Sequence, residues 1–445
     1  MTEIKGLHIT ILGAVRSGIA AAKLAKKMGA IPFVSDYSSK LKTITELDEL
    51  RITYELGGHS DKVYNCDFII TSPGVPSDAP VIKKALQKEI KVISEIEFAS
   101  LFCAGNIIAI TGSNGKTTTT ALCTHLLNNA NIKTYSAGNI GIAFSEIALN
   151  VKENEYVALE VSSFQLDFID SFRPKFSIIL NITPDHLDRY ENDFEKYAAS
   201  KMRIFKNQTN NDFLLFNEDD SYLKNNVSTD TAQIGFSLTK IKANGCYIKN
   251  GNFVFAKDET EEVVCSINSL KIKGEHNQYN AMAIIAIAKL IGISNTDIEN
   301  SLQTYEGVEH RLEFVRNING VEFVNDSKAT NVDSVWYALR SYSYPIRLIL
   351  GGKDKGNDYE TIKEEVKKNV KKIYAIGSSA EKVFNYFNSF VTVEIIKTLE
   401  DTVLTAYKEA SSGDVILLSP ACASFDMFNN YEHRGQVFKQ SVMQL

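Results

Sequence analysis

Seven consecutive residues, GSNGKTT (112–118), carry the strongest chemical signal in this 445-residue chain. They follow the apolar run NIIAIT (106–111) and precede the helical pattern TTALCTHLL (119–127). A Gly-rich loop between a strand and a helix lets backbone N–H groups cradle phosphate oxygens, and the helix N-terminus adds positive partial charge. Gly112, Ser113, Asn114, Gly115, Lys116, Thr117 and Thr118 are therefore expected to hold a nucleotide. Lys116 would reach the β- and γ-phosphates, and the Thr117 hydroxyl would hold Mg²⁺. The pattern GxxxxGK[ST] needs glycine at position 110, which is Ile110 here. The shorter loop disfavours an ordinary GTPase or kinase.

Three further residues stand where a core would not place them. Glu160 ends the apolar run YVALEV (156–161), and His186 lies in DHLDRY (185–190), just after FSIILNI (176–182). Lys201 sits in FEKYAASKMRIF (194–205), where Phe194, Tyr197, Lys201 and Ile204 are spaced to share one helix face. That puts a lysine on an apolar stripe, where the bland alternative is a snorkelling side chain with a solvated head. Carboxylate, imidazole and phosphate oxygens together suit a divalent ion.

Weaker signals surround these. GAVRSG (13–18), with Asp36 closing the next strand, resembles a dinucleotide turn, although Val15 replaces the middle glycine that admits pyrophosphate. A Rossmann dehydrogenase is the alternative this turn raises. HNQYN (276–280) opens an Ala-rich helix with Asn277 and Asn280 one turn apart, able to read a base or ribose or simply to cap. Near the C-terminus, NDSKATN (325–331), GGKDKG (351–356) and SPACASFDMF (419–428) each follow a strand-like run. Three polar loops at the same edge of a parallel sheet point to a binding crevice, whereas each alone could be turn chemistry.

The elements that must position these residues alternate between strand and helix throughout, which predicts α/β layers with parallel sheets. Three blocks emerge, over 1–97, 98–305 and 306–445. Strands are expected at 8–14, 31–36, 67–74, 106–111, 156–161, 176–182, 321–326, 346–351, 372–377 and 414–419. Shorter strands are expected over about 230–272, around Gly245 and Asn250-Gly251. Helices are expected up to Met28, over 194–205, from about Tyr279 to Leu290, and over ASFDMF (423–428). The apolar stretch at 281–293 is too short to span a bilayer and contains Lys289, so it reads as a buried helix.

Composition narrows the class. Hydrophobic content of 44% and charged content of 23% are those of an ordinary globular protein. A net charge of -6 argues against nucleic acid as a partner. Six cysteines without a CxxC pair read as reduced thiols. The N-terminus enters a strand almost at once and lacks the pattern of a signal peptide, so the expected location is cytoplasmic.

GSNGKTT, EVSSFQL (160–166), NITPDHLDRY (181–190), the helix around Lys201, HNQYN, EHRLE (309–313), NDSKATN and SPACASFDMF resemble the Mur ligases in order and spacing. SPACASFDMF, GNIG (138–141) and a short first block with SPG (72–74) are similar to the branch that adds D-glutamate. The resemblance implies three domains: a Rossmann-like domain for the UDP moiety, a P-loop-type ATPase domain, and a Rossmann-like domain that closes over the amino acid. It implies ATP-dependent amide ligation, with UDP-N-acetylmuramoyl-L-alanine and D-glutamate as partners and with no nucleic acid or membrane. It also implies ATP, two Mg²⁺ ions and a monomer.

Residue by residue, it places Val15, Arg16, Asp36, Ser72, Gly74 and Asn139 at the UDP-sugar substrate. Lys116, His186, Lys201 and Lys328 fall in catalytic positions, and Thr117, Glu160, His186 and Lys201 at metal, with Lys201 as a carbamylated lysine. Asn277, Asn280, Arg311 and Asp326 match nucleotide-site positions. Thr330, Lys355, Ser424 and Tyr431 match the surroundings of the incoming amino acid, with Lys353 the competing choice to Lys355. The chain departs from the pattern at Asp36, Tyr37 and Ser38, where relatives often carry Asp-Thr-Arg, and at Tyr431, where some have Phe. Another amide ligase of the Mur family, or a folylpolyglutamate-type ligase, which lacks the first block, is the nearest alternative.

Overall fold

The computed structural model describes residues 3–39, 44–139, 141–239, 244–342 and 345–445, so Ile140 of GNIG lies outside the described residues. The chain divides into two compact units, Met1–Leu270 with Tyr279–Thr304, and Lys271–Gln278 with Tyr305–Leu445.

The first unit holds two sheets. In the first sheet, β1 (His8–Leu12), β2 (Ile31–Asp36), β3 (Thr53–Leu56), β4 (Phe68–Thr71) and β5 (Lys91–Ser94) are ordered β3-β2-β1-β4-β5, all parallel. The chain order reverses between β1 and β4, and ligands of open α/β sheets bind at such a switch point. Gly18 explains how the helix Arg16–Lys27 fits close to β1: a Cβ there would lie 1.8 Å from the Gly13 carbonyl oxygen.

The second sheet contains β6 (Asn106–Thr111), β7 (Thr134–Gly138), β8 (Tyr156–Glu160), β9 (Phe176–Ile179), β10 (Phe213–Asn217), β11 (Ala232–Ser237), β12 (Gly245–Lys249), β13 (Asn252–Lys257) and β14 (Thr260–Ser266). The order is β14-β13-β12-β11-β10-β9-β6-β8-β7. It is parallel from β7 to β12 and ends in two antiparallel pairings. The β12–β13 hairpin turns on Asn250 and Gly251, both at positive φ (50° and 72°), as a two-residue turn that matches strand twist requires. β6 is central, and Ile108, Ala109 and Ile110 are fully buried, as expected of a parallel strand covered on both faces.

The two sheets are stitched through the helix Glu95–Ser100. Glu97 accepts from the backbone N–H groups of Asp170, Ser171 and Phe172 and from the Ser171 hydroxyl. Glu95, whose carboxyl burial pushes upward, accepts from the Ser145 N–H at 2.6 Å.

The third sheet, in the second unit, is ordered β15-β16-β20-β17-β18-β19. Its strands are β15 (Glu313–Ile318), β16 (Val321–Asn325), β17 (Ile346–Gly351), β18 (Val370–Ile376), β19 (Val393–Ile395) and β20 (Val415–Leu418). Only β15 runs antiparallel. The adjacent β16, β20 and β17 bring the three polar loops of the sequence to one edge.

Two expected helices differ. The Ala-rich helix runs Glu275–Ile291, starting four residues before Tyr279, so HNQYN forms its first turns. Residues 281–288 are buried, and Lys289 pairs with Glu262. ASFDMF is not a helix but a single turn closed by the N–H groups of Met427 and Phe428 on the Ser424 carbonyl. The Asp426 carboxylate accepts from the Ser378 N–H at 2.8 Å, and this long-range anchor competes with continuation of the turn. Regular helix begins at Tyr431, capped by Asn430. No helix among the described residues is long and apolar enough to cross a membrane.

Candidate active site

The phosphate loop occupies the strand-to-helix junction that the sequence places it in. Gly112 and Gly115 sit at φ 153° and 88°, and Gly115 precedes the helix Lys116–Asn129 with no side-chain cap. A Cβ on Gly115 would approach Asn280 Oδ1 to 2.6 Å. The bare glycine thus keeps a cradle open between the loop and Asn280, and an anion at a helix N-terminus fits such a place.

Ser113 and Asn114 have mainly an anchoring role. The Ser113 hydroxyl donates to the Thr183 carbonyl at 2.8 Å and meets the Tyr197 hydroxyl at 3.0 Å. The Asn114 N–H donates to Asn181 Oδ1 at 2.8 Å. The bonds to Thr183 and Asn181 tie the loop to the segment after β9, which leads into His186, and the contact with Tyr197 ties it to the helix that carries Lys201.

Two lysines converge on one carbonyl. Lys116 Nζ donates to the Gly112 oxygen at 2.7 Å and to that of Ser113 at 2.9 Å, and Lys201 Nζ donates to the same Gly112 oxygen at 2.9 Å. Lys201 is 2% exposed and lies 4.7 Å from the centre of the Tyr197 ring. Burial, reinforced by Lys116, holds its ammonium well below the ordinary lysine value. The snorkelling alternative is therefore excluded. The helix Phe194–Met202 presents the face expected, with Tyr197, Lys201 and the following Ile204 buried.

Glu160, 2% exposed, closes β8 opposite Ile110, two residues before the loop. The Asn139 amide donates to it at 3.3 Å. A buried carboxylate oxygen at this edge is chemistry that suits a hard divalent cation. His186 adopts φ 52°, is half exposed, and packs edge-on against Phe164 at 5.4 Å.

At the switch point of the first sheet lies a cavity of about 890 Å³. Val15, Arg16, Asp36, Ser72, Gly74 and Asn139 all line it, so the structure brings together these six residues singled out in the sequence. Arg16 also donates to the Gly141 carbonyl. The Ser72 hydroxyl is buried without a hydrogen-bond partner among the described residues. The two Asp36 oxygens accept from the N–H groups of Ala14 (2.6 Å) and Ser38 (2.7 Å), so this cavity residue also shapes the turn. Tyr37, His59, Tyr64 and Lys84 line the same cavity, and the sequence reading did not assign them to it. No local motif marks His59, Tyr64 or Lys84, and Tyr37 lies in the triplet where the chain departs from the family pattern.

In the second unit, Asp326 follows β16 fully buried. It accepts from the Ser419 hydroxyl at 2.8 Å and the Leu312 N–H at 3.2 Å. Burial raises its carboxyl to about 6 against the opposing charge of Arg311. Burial, with Arg311 adding to it, holds His276 down to about 3. Asn277 donates to the Lys273 carbonyl at 2.7 Å. Arg434, missed in the sequence, is 1% exposed and locks two loops together. It donates to the hydroxyl and carbonyl of Ser327 and to the Cys422 carbonyl. The Lys353 N–H donates to the Ala423 carbonyl, which ties in the third loop. Ser424 is buried, Thr330 is half-buried, and Lys353 and Lys355 are both exposed. Lys328 Nζ lies 5.7 Å from the centre of the Tyr431 ring.

A phosphate loop, a buried lysine and carboxylate beside it, a switch-point cavity and a third sheet with a polar crevice define an ATP-dependent ligase of the Mur type. Residues 7–94 match the Mur ligase MurD-like N-terminal domain, 110–288 the Mur ligase middle domain, and 310–422 the Mur ligase glutamate ligase domain. The chain belongs to the Mur ligase family. A relative from Chloroherpeton thalassium, named UDP-N-acetylmuramoylalanine–D-glutamate ligase, is 45% identical, covering 100% of this chain and 99% of its own. A relative of the same name from Salinibacter ruber is 42% identical over 99% of this chain and 98% of its own. The UDP-N-acetylmuramate–alanine ligase of Thermotoga maritima has a solved structure with TM-score 0.61 at 19% identity, covering 98% of this chain and 99% of its own. The MurF ligase of the same organism, solved with ADP, gives 0.60 at 16% identity over 99% and 96%. At those identities the two structures attest the fold. Membership of the family displaces the dehydrogenase alternative.

Proposed function

We propose that the protein joins D-glutamate to UDP-N-acetylmuramoyl-L-alanine with hydrolysis of ATP, in the synthesis of a peptidoglycan precursor. The observation that carries the reading is the convergence of Lys116 and the buried Lys201 on the Gly112 carbonyl, beside Glu160, in a chain related end to end to ligases of that name. The domains are proposed as 1–97, 98–305 and 306–445, acting as a monomer in the cytoplasm. The first binds the UDP moiety, the second ATP, the third the amino acid.

In this reading the loop 112–118 holds the ATP phosphates, and Lys116 turns from its carbonyls to the γ-phosphate. There it offsets charge as the alanyl carboxylate attacks the γ-phosphorus, the bond to the β,γ-bridging oxygen breaks, ADP leaves and an acyl phosphate forms. The D-glutamate amine then displaces phosphate, and holding both substrates together removes the entropic barrier of encounter. Lys201 is the proposed site of carbamylation: a neutral buried amine adds CO₂ and becomes an anion. Thr117, Glu160, His186 and the Lys201 carbamate would hold two Mg²⁺ ions, which supply charge neutralisation at the phosphoryl oxygens. Asn277, Asn280, Arg311 and Asp326 are proposed to hold the nucleoside, and Lys328 to act at the reaction centre. Thr330, Lys355, Ser424 and Tyr431 are proposed to receive D-glutamate. The test is phosphate release with UDP-N-acetylmuramoyl-L-alanine, ATP and Mg²⁺, scanned over D- and L-amino acids. Release is expected with D-glutamate. A different amino acid giving the dominant rate would overturn the assignment.

A further inference from the structure

The departure at Asp36, Tyr37 and Ser38 leaves open how this chain reads the base of its UDP substrate. The cavity at the switch point is lined beyond Asp36 by two rings, Tyr37 and His59. Their centroids are 6.4 Å apart and their planes are inclined at 42°. Two parallel rings with a base between them would need about 7 Å, twice the aromatic stacking distance of roughly 3.5 Å. This pair instead makes an angled corner: a flat base that lies on one ring turns its edge to the other. Tyr37 is 81% exposed, so its ring is open to a base, while His59 is half-buried.

A chain of hydrogen bonds behind His59 decides what its ring presents. Ser35 Oγ donates to Glu55 Oε1 at 2.8 Å, and the same oxygen lies 2.7 Å from His59 Nδ1. An ionised carboxylate is acceptor-only, and a hydroxyl has a single proton. The Ser35 proton is therefore committed to Glu55, and Ser35 Oγ must accept from His59. Nδ1 carries the hydrogen, and in the neutral ring Nε2 is left as an acceptor. Glu55 stays ionised: burial pulls its carboxyl upward, but hydrogen bonds from Ser60 and Ser35 and the nearby His59 leave it below the ordinary glutamate value. Burial holds His59 below the ordinary histidine value, against the opposing pull of Glu55 and Asp36, the charged groups that face it.

We propose that His59 is the residue that selects uracil in this chain, its Nε2 accepting the N3–H of a base stacked on Tyr37, with Ser35 and Glu55 fixing the tautomer. Uracil N3 is a donor. Cytosine held in the same pose presents a lone pair to a lone pair. This inference rests on the reading of the first domain as the UDP site, and it adds the atoms that set base selectivity.

The experiment measures binding of UDP and CDP to the full chain by calorimetry, beside phosphate release with the UDP-sugar substrate. The wild-type protein is expected to prefer UDP by about 10- to 100-fold, the range set by one unmet polar pairing. His59→Ala should bring the two nucleotides within about threefold. His59→Gln, whose amide can both donate and accept, should do the same and guards against a folding defect in the alanine variant. Tyr37→Ala should weaken UDP and CDP alike by about tenfold, because stacking is indifferent to the base, and leave their ratio unchanged. Long-range ¹H–¹⁵N spectra of the wild-type protein, with His59 assigned by difference, should show the Nδ1–H tautomer. An Nε2–H tautomer, or a UDP preference that survives both His59 changes while phosphate release is normal, overturns this inference alone. A wild-type protein that neither binds UDP nor releases phosphate overturns the functional reading with it.

Discussion

Replacing Gly115 with alanine tests whether the phosphate loop is the cradle described. The residue sits at φ 88°, and a left-handed conformation costs an alanine about 1–2 kcal/mol. The new Cβ would also come within 2.6 Å of Asn280 Oδ1 and 3.0 Å of Leu180 Cδ1. Asn280 is 2% exposed and has little room to yield, so overpacking adds about 2 kcal/mol. Gly292→Ala isolates the first term, since Gly292 has φ 92° and nothing within 4 Å of its would-be Cβ. The free Gly115→Ala protein can relax its loop away from Asn280, but binding ATP must restore the cradle. The contact term of about 2 kcal/mol then falls on binding, which corresponds to roughly 30-fold weaker affinity. Calorimetric titration of ATP at fixed Mg²⁺, together with urea denaturation of both variants, measures the two terms separately. Gly292→Ala should lose about 1 kcal/mol of stability and bind ATP normally. The reasoning fails if Gly115→Ala binds ATP within twofold of wild type.

Other substitutions probe the remaining parts. Lys116→Ala should lower turnover by about 10²–10³ in a folded protein, read as phosphate release against an unchanged circular dichroism spectrum. Lys201→Ala should be nearly inactive and partly rescued by acetate or formate, which restore an anion to the vacated site; rescue by neutral formamide to the same extent would contradict the carbamate. Lys355→Ala should raise the KM for D-glutamate far more than those for ATP and the UDP-sugar, and an effect confined to Lys353→Ala would move the assignment by two residues. Arg347 donates to Asp414 at 2.8 Å and to the Tyr374 hydroxyl at 2.9 Å, and Arg347→Met should destabilise the protein by about 1.5–3 kcal/mol in urea, because the buried Asp414 carboxylate is left, among the described residues, with only Lys371 and the Ser411 N–H. Although burial acts the other way, Arg347 holds the Asp414 carboxyl below the ordinary aspartate value. Its contribution is present above the unfolded pKa and is lost as pH falls through the lower folded value, so the variant should flatten the acid limb of stability against pH.

The sequence alone determined the alternation of strand and helix, the phosphate loop at the end of β6, and the placement of Lys201 on an apolar face. These are local properties. An apolar run that fits a doubly covered strand, a glycine where φ must be positive, and a helical spacing of three and four residues are all legible without knowing the fold. Tertiary structure decided the rest. ASFDMF has a helix-like pattern, but Asp426 is bound by the Ser378 N–H from another loop, and the local preference yields to that anchor. Asp36 is legible only as the residue that closes β2; that its oxygens accept from Ala14 and Ser38 follows from the turn after β1, which brings an N–H within reach. Arg434 looks like a surface residue of the last helix until β16 and β20 are placed side by side. Their loops then surround the guanidinium with three oxygen acceptors. The tautomer of His59 depends on Ser35 and Glu55, contributed by neighbouring parallel strands and 20 residues apart in sequence but paired in register. Hydrogen bonds of this kind join residues by proximity in space, and no periodicity along the chain encodes them.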